Sequence, residues 1–260
     1  MDVYLAGTYS RGYVVKLYLA GEHPVKNGTL AKQYNRAPYI LESYYYARTN
    51  KWLMDLLPQF KGFLLDSGAF TFMSQDSSKV DFEQYTREYA KFINDYGIEL
   101  FFELDIDSVV PWQRYLDLRK MLEDLTGKDP IPVFHKSRGK EWFQNAVRNH
   151  SYVAIGGIVT GEIKRSEFGT LGWFINEAHK NKCKIHGLGF TNLQWLPKLK
   201  WDSVDSTSWL YGNRSGVVYQ FNGRSITKHK GPDGARLKSR EVAIHNFNEW
   251  VKFSEYMESR

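Results

Sequence analysis

Cysteine and long apolar runs are what this sequence has least of. Cys183 is the single cysteine of the 260 residues, so a disulfide within the chain is impossible and a zinc site made of several cysteines is excluded. No apolar run approaches the roughly 20 residues that cross a bilayer. The first residues lack the basic and apolar regions of a signal peptide. These absences predict a cytoplasmic protein with no membrane partner, because a reducing compartment suits a cysteine-poor chain.

Aromatic side chains and positive charge are both plentiful. The chain has 8 Trp, 17 Tyr and 16 Phe, and such side chains fill large cores and also stack on nucleobases. With 35 Lys and Arg against 29 Asp and Glu, the net charge is +6, which favours a polyanionic partner. The length suits one domain over residues 1–260, and α/β barrels are often of this size.

Short apolar runs alternate with amphipathic stretches along most of the chain. Asp81 is placed to cap one helix, and Pro111 and Gly127 are placed to begin and end another. Strands are predicted at Val3–Ala6, 62–66, 100–107, 131–135, 152–158, 184–190 and 203–206. This order predicts a parallel sheet covered by helices, and about seven such strands predict a single-domain (β/α)8 barrel of the TIM type.

Two further segments lie at the ends of this pattern. Pro38 is predicted to open an aromatic helix that Pro58 closes. Beyond Tyr211 the alternation stops, and a basic segment at 212–240, with a hairpin strand at 217–221, precedes a terminal amphipathic helix at 241–258.

Polar residues follow the predicted strands where the strands end. The carboxyl ends of parallel barrel strands meet at one mouth, so we expect Asp66, Asp105 and Asp205 to converge there. Two carboxylates across a cavity suit glycosidic chemistry, in which one attacks the anomeric carbon and the other moves a proton. Taken singly, Asp66 and Asp205 are also typical helix caps, and a lone histidine is more often a core residue than a ligand.

Five motifs occur in a fixed order, and together they are far more specific than any one of them. They are Leu-Asp-Ser-Gly-Ala-Phe from Leu65, Leu-Asp-Ile from Leu104, Ala-Ile-Gly-Gly-Ile-Val-Thr-Gly-Glu from Ala154, His-Gly-Leu-Gly from His186 and Val-Asp-Ser-Thr-Ser-Trp from Val204. The set resembles the tRNA-guanine transglycosylase superfamily over about Gly62 to Tyr219. Within it, the chain looks closest to the short, often phage-encoded enzymes that place 7-deazaguanine bases in DNA.

The resemblance implies a pentosyltransferase that exchanges guanine in DNA for a 7-deazaguanine base of the preQ0 type, without metal or cofactor. It implies that Asp205 is the nucleophile that bonds to the deoxyribose, that Asp66 is the general acid and base, and that Asp105 reads the purine edge. The other residues that the resemblance places around the base are Ser67, His135, Gly156, Gly157, Ile158, His186 and Gly187. If a phage encodes the chain, the compartment is the host cytoplasm.

DNA is favoured over tRNA as the polymer. With one cysteine the chain cannot form the zinc site of the tRNA enzymes, which uses three cysteines and a histidine, and no length remains for the RNA-binding domain of the archaeal type. A target base must leave the stack to be exchanged, so phosphates have to be held nearby. The predicted phosphate contacts are Arg214, Arg224, Lys228, Lys230, Arg236 and Lys238.

Three alternatives stay open. The first keeps the chemistry and takes tRNA as the polymer. The second is a metal-dependent barrel hydrolase that uses Asp105, Asp107, His135 and His186, and that would require a divalent cation. The third is a catalytically silent binding subunit, against which the presence of both Asp66 and Asp205 argues.

Overall fold

Parallel strands form the central sheet of this α/β fold. The computed structural model describes residues 14–20, 38–68, 80–210, 216–230 and 239–259. The seven strands of the sheet are β1 (Lys16–Ala20), β2 (Tyr39–Ser43), β3 (Gly62–Asp66), β4 (Val133–Phe134), β5 (Tyr152–Ile155), β6 (Lys184–Gly187) and β7 (Ser203–Ser206). Their order across the sheet is β3, β2, β1, β7, β6, β5 and β4, and every neighbouring pair is parallel.

The segment 100–103 lies between the two outer strands, β3 and β4. Phe102 N donates to Leu65 O at 2.9 Å on one side, and Ile131 N donates to Phe101 O at 2.9 Å on the other. Both contacts are single parallel bridges. The sheet is therefore curled into a half-barrel that is consistent with a TIM-like barrel, but eight regular strands are not found in the described part of the chain.

The predicted strand at 100–107 is wrong for most of its length. After Glu103, whose N donates to Ile131 O at 3.1 Å, the backbone leaves the sheet, and Ile106 N bonds to Leu104 O at 3.0 Å in a tight turn. The carboxylates of Glu103, Asp105 and Asp107 are drawn instead toward one buried cation, described below. The end of the predicted strand therefore forms no regular strand ladder, and its carboxylates pair with the buried cation instead.

Helices cover the outside of the sheet. They are α1 (Tyr44–Ala47), α2 (Lys51–Met54), α3 (Phe82–Asp95), α4 (Trp112–Thr126), α5 (Gly139–Asn149), α6 (Leu171–Lys180) and α7 (Ser239–Glu258), with 3-10 turns at Leu57–Gln59, Lys136–Arg138, Arg165–Thr170, Leu196–Lys198 and Ser208–Leu210. The predicted caps of α3 and α4 are confirmed. Asp81 accepts a hydrogen bond from Gln84 N at 3.0 Å, Pro111 precedes α4, and Gly127 ends it with a φ of 65°.

The stretch after Pro38 is a strand, so the predicted aromatic helix is wrong. Residues 39–43 pair with β1 and β3, and short helical turns follow where a long helix was predicted. Tyr39 points into the space enclosed by the curled sheet, where its ring lies 5.3 Å from that of Tyr18, whereas Ile40 packs under the helices. Pairing with residues distant in sequence decides this element, and local spacing does not reveal it. The strand predicted at Val3–Ala6 lies outside the described residues.

The inside of the curled sheet is largely apolar, apart from the carboxyl ends of its strands and the hydroxyls of Tyr152 and Ser203, which bond to each other and to His186. Its buried residues include Tyr18, Leu64, Phe102, Val133 and Ala154. Two other apolar clusters fill the space between the sheet and the helices. The polar residues described next therefore lie on a packed apolar base.

The predicted hairpin strand and terminal helix are confirmed. Strands β8 (Val217–Phe221) and β9 (Ile226–Lys230) form an antiparallel hairpin. Asn246 of α7 accepts a hydrogen bond from Tyr219 N at 2.8 Å, and Ser254 of α7 donates to Leu17 O of β1 at 3.0 Å. Among the described residues, no helix is long and apolar enough to cross a membrane.

Candidate active site

Asp205 lies near the end of β7 with only 8 % of its side chain exposed. Its Oδ1 accepts hydrogen bonds from Gly189 N at 2.6 Å and from His186 Nε2 at 3.1 Å. Its Oδ2 makes no hydrogen bond with any residue that the structure describes. One oxygen of the carboxylate is thus fixed, and the other is available for chemistry.

His186 lies behind Asp205 and not on the surface of a pocket. It is fully buried, and its ring packs against Phe102 and Tyr18 at centroid distances of 5.4 Å and 6.1 Å. Its Nδ1 is hydrogen-bonded to the hydroxyl of Ser203, which is bonded in turn to the hydroxyl of Tyr152. Both ring nitrogens are therefore in use, and this residue, predicted to contact the base, is placed to orient the carboxylate of Asp205.

Asp66 ends β3 and is partly exposed. Its Oδ2 accepts a hydrogen bond from Gly68 N at 3.0 Å. Burial raises the pKa of Asp66 to about 6, although hydrogen bonds from Gly68 and the Ser43 hydroxyl act to lower it. The negative charges of Asp205 and Asp105 also act to raise this pKa. The charges of Asp205 and Asp105 therefore both reach Asp66. A carboxyl group with such a pKa populates both protonation states near neutral pH, which suits proton transfer.

Asp66→Asn is expected to stabilise the protein at alkaline pH. Because the pKa of Asp66 lies above its ordinary value of 3.8, folding favours the protonated form, and that contribution is present below about pH 4 and lost as the pH rises through about 6. Asparagine stays neutral, so the variant should gain about 1 to 3 kcal/mol of unfolding free energy at pH 8 and almost nothing at pH 4. Urea unfolding at the two pH values measures this. The matched control is Asp117→Asn on the exposed side of α4, and an equal gain there would contradict the assignment.

Ser67 follows Asp66 and is buried, with 1 % of the residue exposed. Its carbonyl accepts a hydrogen bond from the Tyr85 hydroxyl at 2.7 Å. Its own hydroxyl has no hydrogen-bond partner in the described part of the chain. A buried hydroxyl without a partner is unusual, and it lies beside the candidate acid.

Asp105 is bonded to His135, which is bonded in turn to Glu162. His135 Nε2 lies 2.6 Å from Asp105 Oδ2, and His135 Nδ1 lies 3.0 Å from Glu162 Oε2. Burial lowers the pKa of His135, but the hydrogen bonds and charges of Asp105 and Glu162 outweigh burial and raise it to about 9. His135 is therefore a cation at neutral pH.

The glycines of the predicted base pocket make room for protein side chains. A Cβ at Gly156 would lie 2.7 Å from His135 Cε1, and a Cβ at Gly157, whose φ is +77°, would clash with Glu162. A Cβ at Gly187 would lie 2.9 Å from Cβ of Phe190. The resemblance places Gly156 and Gly157 around the base, whereas in the structure they make room for His135 and Glu162.

Ile158 is partly exposed, and it lines a pocket of about 500 Å³ between the loops that follow β5 and β6. Gly189, whose N–H group holds Asp205, lines the same pocket. The exposed cations Lys164 and Arg165 also line this pocket. Asp66, Asp105 and Asp205 are not among the residues that line this pocket, which adjoins Asp205 through Gly189.

Sequence reasoning missed Arg138, which joins the acidic side chains. Only 1 % of its side chain is exposed. It donates to Glu103 at 2.8 Å, to Asp107 at 2.9 Å and to Asp105 at 3.3 Å. Glu103 is fully buried and also accepts from the Tyr115 hydroxyl at 2.7 Å. The sequence signal for a buried cation was the alternation of Glu103, Asp105 and Asp107 in an otherwise apolar stretch, because buried carboxylates require a cation.

The predicted phosphate contacts are described only in part. Arg224 and Lys228 are exposed on the hairpin of β8 and β9. Arg214, Arg236 and Lys238 lie outside the described residues, as does the side chain of Lys230.

The histidines and acids of the metal-hydrolase alternative do not form one cluster. His186 is bonded to Asp205, whereas His135 is bonded to Asp105 and Glu162. Within the described ranges, no group of three or more His, Cys, Asp or Glu side chains is arranged to hold a metal ion.

Comparison with protein families and with curated proteins identifies no relative of this chain. No protein-family model matches the chain, and a search of curated proteins finds none that is similar. The function is therefore inferred from the residues and their geometry.

Proposed function

We propose that this chain is a pentosyltransferase that exchanges guanine in DNA for a 7-deazaguanine base by double displacement. The observation that carries the proposal is the pair of carboxylates: Asp205, held by one oxygen, and Asp66, whose pKa is raised to about 6 in part by the charge of Asp205. In this proposal the segment 100–103 occupies the remaining strand position of a single-domain (β/α)8 barrel, since its bridges reach both β3 and the residues before β4.

The first displacement uses the two carboxylates in opposite roles. Oδ2 of Asp205 attacks C1′ of the deoxyribose, and a C–O bond forms as the bond from C1′ to N9 of guanine breaks through an oxocarbenium-like transition state. The electron pair of that bond goes to the leaving purine, which takes a proton from Asp66. The products are free guanine and a covalent bond between Asp205 and the sugar.

The second displacement reverses these steps with the new base. Asp66, now a carboxylate, accepts the N9 proton of the incoming 7-deazaguanine, whose N9 attacks C1′ and breaks the C–O bond. Asp205 returns to its free form. His186 takes no proton in either step and keeps Oδ1 in place, so that the attacking oxygen faces the sugar.

Asp105 supplies the recognition of the base. Its carboxylate has lone pairs left after the bonds to His135 and Arg138, and it can accept from the N1–H and the 2-amino group of guanine. Adenine presents an acceptor at N1 and would leave the carboxylate unsatisfied, which discriminates strongly against it. In this proposal the base lies against Ser67, Ile158 and the backbone of Gly156, Gly157 and Gly187, whose side-chain positions are taken up by His135, Glu162 and Phe190.

DNA is the proposed polymer, with tRNA as the rival. The single cysteine rules out the zinc site of the tRNA enzymes, and Arg224 and Lys228 offer exposed positive charge for phosphates. The target nucleotide must be flipped out of the stack for its C1′ to reach Asp205, because the carboxylate lies deep in the fold.

The test is incorporation of a labelled base. The protein is incubated with a labelled 7-deazaguanine base and either duplex DNA or tRNA, with and without a chelator, and nucleosides are analysed by mass spectrometry. We expect the modified deoxynucleoside from DNA, unaffected by chelator. Incorporation into tRNA alone would change the polymer, and loss of activity with chelator would favour a metal enzyme. No incorporation into either polymer by the folded protein would overturn the proposal.

A further inference from the structure

His135 contacts two carboxylates through its two ring nitrogens. The contact to Asp105 is 2.6 Å long and the contact to Glu162 is 3.0 Å long. Both nitrogens must carry protons for both contacts to be hydrogen bonds to ionised carboxylates, so the geometry requires the imidazolium form. Glu162 is fixed from its other side, because its Oε1 accepts from Ser137 N at 3.1 Å.

The same contacts tie Asp105 to the loop after β5. Glu162 belongs to this loop, which is closed by a hydrogen bond of 3.0 Å from Ile163 N to Gly157 O. The missing side chains of Gly156 and Gly157 allow His135 and Glu162 to approach the loop backbone. Asp105 therefore cannot turn without breaking its contact to His135, which is bonded to this loop through Glu162.

We propose that His135, as an imidazolium ion bonded to Asp105 and Glu162 together, is a positioning residue that sets the specificity of base binding. It holds Asp105 with its remaining lone pairs toward the base and keeps the loop 157–163 against it. This inference rests on the proposed function and names two residues, His135 and Glu162, that control recognition without touching the base.

The charges around His135 agree with this role. Asp105 and Glu162 face the ring directly and raise its pKa to about 9 despite burial. Beyond Asp105 lie Arg138, at 3.3 Å from its Oδ1, and Asp66, whose pKa is raised in part by the charge of Asp105. A neutral ring would present a lone pair to one carboxylate, so the bridge is complete below about pH 9 and opens above it.

The first test is independent of activity. The ring of His135 is titrated by NMR in protein labelled at histidine, with His135→Gln to assign the signal. We expect a pKa near 9 and a fall of at least about one unit in Glu162→Gln, because one of two hydrogen-bonded charges is removed. The control is Asp129→Asn, which removes the carboxylate 2.9 Å from His150. Titration near 6.5, or no response to Glu162→Gln, would overturn the bridge.

The second test measures base selectivity at pH 7.5. Equilibrium dialysis gives the Kd of radiolabelled guanine and of hypoxanthine, which keeps N1–H but lacks the 2-amino group. We expect His135→Gln and Glu162→Gln to weaken guanine binding about tenfold and to bring the two affinities close together, since one misaligned hydrogen bond is lost. His150→Gln is the control. In base exchange, KM for the incoming 7-deazaguanine base should rise while kcat changes little.

The outcomes separate the two proposals. Equal weakening of guanine and hypoxanthine would mean that His135 is merely structural, and the inference would fall. If the ring titrates near 9 and responds to Glu162→Gln, but the wild-type protein binds no guanine, then the proposed function fails and the role in recognition fails with it, whereas the bridge itself stands.

Discussion

Arg138→Met is expected to destabilise the fold by about 3 to 5 kcal/mol, the usual cost of removing one partner from a buried ion pair. The variant leaves Glu103, which is fully buried, with Arg119 as its neighbouring cation. Arg119 Nε lies 3.0 Å from Glu103 Oε2 outside hydrogen-bond geometry, so it keeps a charge attraction but does not replace the hydrogen bond that Arg138 donates. Methionine keeps the apolar contacts with the rings of Tyr115 and Trp142, each 4.7 Å from the guanidinium, so the loss is mainly electrostatic.

Urea unfolding and calorimetry at pH 7 measure this effect, and a fall in Tm of the order of 10 °C is expected for a chain of this size. Two variants test the cause. Arg138→Met with Glu103→Gln should recover part of the loss, because the most deeply buried of the three carboxylates is then uncharged. Lys120→Met removes an exposed pair with Asp124 on α4 and should leave the unfolding curve close to that of the wild type. A loss below about 1 kcal/mol in Arg138→Met would mean that the acids are not held as ions by this cation.

The sequence predicts the carboxyl-end cluster for a simple physical reason. Parallel strands point their carboxyl ends to one edge, so Asp66, Asp105 and Asp205 come together once the strands are recognised as parallel. The caps at Asp81 and Gly127 were also predictable, because cap residues act within one turn of the chain.

Other parts of the fold depend on partners distant in the sequence. Residues 39–43 carry large aromatic side chains at spacings that fit a helix, and only their pairing with β1 and β3 makes them a strand. Arg138 is similar, since nothing in its local sequence indicates that it is buried among three carboxylates. Contacts of this kind are fixed by tertiary packing and have no local signature.

The sequence also does not distinguish the roles of the two histidines, His135 and His186. His135 ends the predicted strand 131–135 and His186 lies inside the predicted strand 184–190, and the resemblance places both around the base. The depth of each ring distinguishes them: His186 is fully buried behind Asp205, whereas 17 % of the His135 side chain is exposed. Depth depends on how strands stagger around the curled sheet, which a single sequence does not specify.

Asp205→Asn is expected to abolish base exchange and the covalent adduct. Removing the attacking carboxylate should lower the single-turnover rate by about 10⁴-fold or more, the usual scale for loss of a catalytic nucleophile. The fold should persist, because the amide oxygen of asparagine can still accept from Gly189 N and His186 Nε2. Binding of free guanine should change less than about threefold, since Asp105 is untouched and an apparent free-energy change of that size is under 1 kcal/mol.

The adduct is followed on a denaturing gel with end-labelled DNA, and the rate by quenched single turnover. Asp202→Asn is the matched control: it lies three residues earlier, and its carboxylate accepts from Ile185 N and contacts His179, both at 2.9 Å, with no bond to Asp205. Its activity should stay within a few-fold of wild type. If Asp205→Asn still forms an adduct, another group is the nucleophile. Asp66 would then be the next candidate, because the charges of Asp205 and Asp105 act on it.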